Sequence, residues 1–82
     1  MTKTIKQENL YSTTDLSLAT ALSLYFPIEA IDRQNSKSSA FLFIRRKELD
    51  KLIESYWKDE LKVSPRQYFN QLRDIKSRLY EK

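Results

Sequence analysis

The sequence predicts a small α+β domain, in which a two- or three-stranded antiparallel sheet packs with three helices in the order α-β-β-α-(β)-α. Apolar residues recur at helical spacing in three segments, and two short strand-like runs, residues 28–33 and 40–45, flank a turn-forming spacer. The chain of 82 residues, 40% of them hydrophobic, has room for one core. We expect that single domain at residues 10–82, after a flexible polar tail at residues 1–9.

The first helix is expected from about residue 13 to residue 26. Ser12 followed by Asp15 has the form of a capping box, in which side chains bond the free N–H groups at a helix start. Pro27 ends the helix, because the proline ring disfavours helical geometry in the residue before it.

The two strand-like runs are expected to form a hairpin across QNSKSS, residues 34–39. The second run, AFLFI, is apolar at every position, so Phe41 and Phe43 point to one face of the sheet and Leu42 and Ile44 to the other. Both faces therefore need cover, and we expect the three helices to be divided between them.

The strongest helical periodicity lies at about residues 47–60. Its apolar positions are Leu49, Leu52, Ile53, Tyr56 and Trp57. Trp57 lies at the edge of this stripe, and we expect it to close the core against the last helix. The short link at residues 61–63 is a candidate third strand. Ser64 at the N-cap and Pro65 at the first helical position then begin the last helix.

Residue types that the chain lacks exclude several kinds of chemistry. Without Cys there is no disulfide or thiolate nucleophile, and without His the usual general base and metal ligand are missing. We therefore expect no enzymatic activity, no cofactor and no metal ion. No apolar run reaches the roughly 18 residues that cross a bilayer, so we expect no membrane partner. The start MTKTIKQEN has no apolar segment of a secretion signal, and the absence of Cys is compatible with a reducing compartment, so we expect a cytoplasmic location. Glycine is also absent, so turns that need positive φ must use Asn or Asp, with Asn35 the best placed.

A longer pattern runs through most of the chain and consists of Tyr11-x-Thr13-x-Asp15-Leu16 with Leu18-Ala19, Phe41-Leu42-Phe43, Tyr56-Trp57, Leu61-x-Val63 and Pro65-Arg66-x-Tyr68-Phe69-x-x-Leu72-Arg73-x-x-Lys76-x-Arg78-Leu79-Tyr80. This pattern resembles a family of small uncharacterised bacterial and phage-encoded domains, known only as a domain of unknown function. The resemblance implies one compact domain and brings no activity with it. Family members tend to have a tighter hairpin and often place Gly after the Trp, where this chain has Lys58-Asp59-Glu60.

The formal net charge of +4 is concentrated at the C-terminal end, where residues 63–82 hold five basic and two acidic side chains. At 100° per residue, one flank of the last helix carries Arg66 and Arg73, bordered by Lys76 and two aromatic residues, with no acidic side chain. Unpaired Arg beside aromatic rings is typical of phosphate contact and base stacking. The candidate nucleic-acid-binding residues are Arg66, Arg73 and Lys76, with Arg45 and Arg46 extending the patch.

Two other interpretations remain open. Basic residues late in a helix also offset its dipole, and Arg66 and Arg73 could pair with carboxylates of other elements, leaving only a solvated helix face. An apolar sheet face left uncovered would instead indicate a protein–protein adaptor or a homodimer. The partners that the sequence suggests are therefore nucleic acid, an acidic protein surface or a second copy of the chain.

Overall fold

The computed structural model describes residues 9–33 and 39–80. The elements are β1 (Leu10–Thr13), α1 (Leu16–Ser23), β2 (Ala30–Asp32), β3 (Ala40–Ile44), α2 (Lys47–Trp57) and α3 (Pro65–Tyr80). Three helices and a three-stranded antiparallel sheet confirm the predicted α+β class. The predicted tail lies outside the described residues except for Asn9, and so does the predicted turn at Asn35.

The third strand is not where the sequence placed it, and the order of elements is β-α-β-β-α-α. Residues 61–63 form neither helix nor strand, whereas residues 10–13 form β1. The sheet order is β1-β3-β2, with Tyr11 paired to Phe43 and Ile31 paired to Phe41. Tyr and Thr favour strands, and β1 occupies the edge of β3 that the hairpin leaves free.

Helix α1 starts later than predicted because Asp15, and not Ser12, is its N-cap. The Asp15 carboxylate accepts hydrogen bonds from the backbone N–H groups of Ser17 (3.0 Å) and Leu18 (3.2 Å), and from the Ser17 hydroxyl (2.8 Å). The bonds from the Ser17 hydroxyl and the Leu18 N–H lower the pKa of Asp15. Ser12 lies in β1, where its side chain is exposed.

All three helices pack on one face of the sheet, so the expectation that they divide between both faces is wrong. The core joins buried residues of every helix to two residues of β3. These residues are Leu18, Ala19 and Leu22 of α1, Leu49 of α2, Ile75 of α3, and Phe41 and Phe43. On the opposite face, Leu10, Leu42 and Ile44 are half-buried and lie outside this core.

Helix α2 ends in a left-handed turn that the chain makes without glycine. Asp59 has φ of 64°, and its N–H donates to the Tyr56 carbonyl at 3.1 Å. The N–H of Glu60 donates to the Ser55 carbonyl at 2.9 Å. These two bonds define a Schellman motif, in which a left-handed residue satisfies the last carbonyls of a helix.

We expect Asp59→Gly to raise the free energy of unfolding by about 0.5–1 kcal/mol, since glycine adopts positive φ without steric cost. Urea denaturation followed by far-UV circular dichroism measures the change. Lys58→Gly is the matched control, because Lys58 has φ of −86° and glycine relieves nothing there. Equal gains from both changes would contradict the argument.

Candidate nucleic-acid interface

Helix α3 carries the predicted site and is anchored along one side. As predicted, Pro65 is its first residue, and the Tyr68 N–H donates to the Ser64 carbonyl at 2.9 Å. Ile75 is buried in the core, and Leu79 packs against it. Near the other end, the Arg33 guanidinium donates to the Arg78 carbonyl. The buried side thus fixes which residues of α3 face solvent.

The opposite flank of α3 is exposed and includes two aromatic rings. Phe69 is 61% exposed and Tyr80 is 79% exposed. Neither ring therefore belongs to the core. Arg66, Arg73 and Lys76 are exposed on the same flank.

Two of the predicted cations meet in a groove of about 450 Å³ on this flank, which we call the basic groove. It is lined by Phe69, Leu72, Arg73, Lys76, Ser77 and Tyr80. Arg66 is on the same helix but does not line the groove; it precedes Arg73 by seven residues, or about 10 Å along the axis. The groove therefore combines two cations with two exposed rings.

No carboxylate neutralises the predicted cations of α3 within the parts of the chain that the structure describes. Ion pairs there include Arg45 with Asp50 at 3.6 Å and Lys58 with Glu54 at 3.8 Å. Arg66, Arg73 and Lys76 have no acidic oxygen of residues 9–33 or 39–80 within 4.0 Å. With respect to the described residues, these three charges have no acidic partner and can contact an external anion.

Arg45 and Arg46 lie at the junction of β3 and α2, where each interacts within the fold. Arg45 pairs with Asp50, and the Arg46 guanidinium lies over the Phe26 ring at 5.1 Å from its centre. Neither residue lines the basic groove. The structure thus gives both residues a local role, and their part in a wider basic patch stays a prediction.

A second groove, of about 470 Å³, was missed by the sequence analysis; we call it the aromatic groove. It is lined by Ala21, Tyr56, Trp57, Asp59, Leu61, Val63 and Tyr68. Trp57 is 64% exposed, so the prediction that it closes the core is wrong. Its ring stands at 88° to that of Tyr56, with the ring centres 5.1 Å apart.

Hydrogen bonds to Ser17 hold two rings of the aromatic groove in place. The hydroxyls of Tyr56 and Ser17 share a hydrogen bond of 2.7 Å, and the Tyr68 hydroxyl donates to the Ser17 carbonyl at 3.3 Å. Partial burial raises the pKa of Tyr68, and the nearby Tyr56 and Asp15 add to the shift. Tyr68 also contacts Phe69 edge to face at 6.0 Å, so the two grooves adjoin.

Within residues 9–33 and 39–80, no group of three or more acidic, His or Cys side chains could hold a metal ion. No helix within these residues is long and apolar enough to cross a membrane.

Comparison with known proteins identifies a family and nothing more specific. The model of the family described as "Domain of unknown function (DUF5659)" matches residues 8–81. No curated protein and no solved structure shows significant similarity to the chain. The resemblance to a family of unknown function that the sequence suggested is therefore confirmed.

Proposed function

Since the chain belongs to the DUF5659 family, whose description assigns no function, we propose from its surface that it is a non-enzymatic module that binds nucleic acid through α3. One observation carries the proposal. Around the basic groove, exposed Phe69 and Tyr80 lie beside Arg73 and Lys76, and no described carboxylate lies within 4.0 Å of these cations.

The cations would contact the phosphate backbone. A guanidinium offers a planar fork of donors that matches phosphate oxygens, and an ammonium acts as a point charge. Arg66 and Arg73 are separated by about 10 Å along the helix, roughly the rise of three nucleotides in one strand of DNA. Such contacts give affinity and orientation with little reading of base sequence.

The rings favour a single strand over a duplex. Every base presents a flat face, and stacking on an aromatic side chain tolerates any sequence. Paired and stacked bases inside a duplex cannot offer those faces to Phe69 and Tyr80. The preferred ligand is therefore single-stranded DNA or RNA lying along the outer flank of α3.

The test is the salt dependence of binding to a labelled oligothymidylate, followed by fluorescence anisotropy. Arg66→Ala with Arg73→Ala should weaken binding and reduce the slope of log K against log salt by about 1.4, since two phosphate contacts are lost. Lys51→Ala with Lys58→Ala removes the same charge from α2 and its C-cap and is the control, expected to keep the wild-type slope. No binding at low salt, or an unchanged slope in the α3 variant, would contradict the proposal.

A second candidate function is homodimerisation through the face of the sheet that no helix of the described residues covers. It is favoured by the location of every helix on the other face, which leaves Leu10, Leu42 and Ile44 outside the core. Leu10 pairs with Ile44 in the sheet, so these side chains share one face. A second copy of the chain would cover them.

Analytical ultracentrifugation tests this second candidate, because it measures the mass of the protein in solution. We expect the wild-type protein to have twice the monomer mass and Leu42→Glu to be a folded monomer, because the new charge would be buried at the interface. A charge at Phe41 or Phe43 would not be informative, since both residues are buried in the core and a charge there would disrupt the fold itself. A monomer at every concentration would count against the dimer.

A further inference from the structure

We propose that the aromatic groove is a separate binding site for an organic cation of the quaternary ammonium class. The inference goes beyond nucleic-acid binding and does not depend on it, because the basic groove and the aromatic groove have different linings. Three aromatic residues and one acidic residue line the aromatic groove, and no Lys or Arg does.

The rings provide the walls that such a cation needs. A positive charge is attracted to the face of an aromatic ring, most strongly to Trp and then to Tyr. Tyr56 and Trp57 meet at 88° and so form two walls of a corner, while Tyr68 lines the same groove. Hydrogen bonds to Ser17 fix the rings of Tyr56 and Tyr68 before any ligand arrives, and this lowers the entropy cost of binding.

The charge of the lining also selects a cation. Asp59 is the one charged residue among those that line the groove. The lysines that flank this segment are directed elsewhere: Lys58 pairs with Glu54 at 3.8 Å, and Lys62 lines a different hollow beside Tyr25. A nucleic-acid phosphate would meet the Asp59 carboxylate here, whereas a cation would be attracted by it.

The backbone of Asp59 adds a further argument. The residue adopts φ of 64°, a conformation in which glycine has no steric cost and Asp does. The chain thus places a carboxylate beside the rings at a conformational cost. A volume of about 470 Å³ is within the range of small-molecule sites, and the half-buried Leu61 and Val63 supply an apolar floor for methyl groups.

Trp57 is the only tryptophan, so its fluorescence reports on this groove alone. We expect choline to change that fluorescence saturably, and its uncharged carbon analogue dimethylbutanol, of the same shape, to have no effect at equal concentration. A peptide that carries a trimethylated lysine is the second probe. Tighter binding of the peptide would assign the site to a modified protein tail, and tighter binding of choline would assign it to a small molecule. No saturable response to either cation, or an equal response to dimethylbutanol, would overturn the proposal.

Variants at one position separate binding from folding. Asp59→Gly and Asp59→Asn both remove the carboxylate, and each should weaken choline binding roughly fivefold to tenfold. Since Asp59→Gly should also stabilise the turn, weaker binding by that variant cannot be explained by unfolding. Glu60→Gln removes a neighbouring carboxylate that does not line the groove, and it should bind as the wild type does. Wild-type affinity in both Asp59 variants would overturn the role of the carboxylate.

Discussion

Phe43→Ala is expected to lower the free energy of unfolding by about 3–5 kcal/mol, the range found when a buried aromatic side chain is truncated. Phe43 is 0% exposed and belongs to the core that joins β3 to all three helices. A domain of 82 residues typically has about 4–12 kcal/mol of total stability. We therefore expect the variant to lose a large part of its stability and to unfold at a much lower urea concentration, as measured by urea titration followed by far-UV circular dichroism.

Leu42→Ala is the matched control for this prediction. Leu42 is the adjacent residue of β3 and points to the face that carries no helix. Its truncation should cost only about 1 kcal/mol, as for a half-buried side chain. Equal losses from both variants would show that the outer face of the sheet contributes to a core of its own, contrary to the one-sided packing of the helices.

Periodicity in the sequence predicted helices α2 and α3 well because each has a clear apolar stripe. Leu49 and Ile75 lie on those stripes and are buried. The strand β1 was missed because its four residues have no apolar alternation of their own. They form a strand by pairing with β3, some thirty residues later, and local sequence carries no signal for that contact. Ser12 and Asp15 are both of residue types that favour the N-cap, and only the tertiary structure shows that Asp15 takes this position.

The candidate site was predicted in part, for a related reason. Helical spacing gives the direction in which a side chain points, but not whether another helix or strand packs against it. It placed Arg66 and Arg73 correctly on the outer flank of α3, yet it assigned Trp57 to the core. Trp57 is the last residue of α2, and no neighbouring element buries its side chain there. The contacts of Arg45 with Asp50 and of Arg46 with Phe26 likewise depend on geometry that spacing does not give.

Replacing Phe69 and Tyr80 together by Leu is expected to have the largest effect on nucleic-acid binding. Each ring that stacks on a base contributes about 1–3 kcal/mol, so the double variant should bind a single strand at least about thirtyfold more weakly. Leucine keeps an apolar side chain at both positions and removes only the aromatic face. Anisotropy titration of labelled oligothymidylate measures the loss, and far-UV circular dichroism verifies that α3 is intact.

The salt dependence distinguishes stacking from phosphate contact in the same variant. Arg66, Arg73 and Lys76 remain, so the slope of log K against log salt should match the wild type although the affinity is lower. Weak duplex binding should also be unchanged, because paired bases do not reach the rings. Tyr80→Phe keeps the ring and should bind as the wild type does. If the leucine variant bound single strands with wild-type affinity, the exposed rings would have no role in stacking, and the cations alone would account for any nucleic-acid binding by α3.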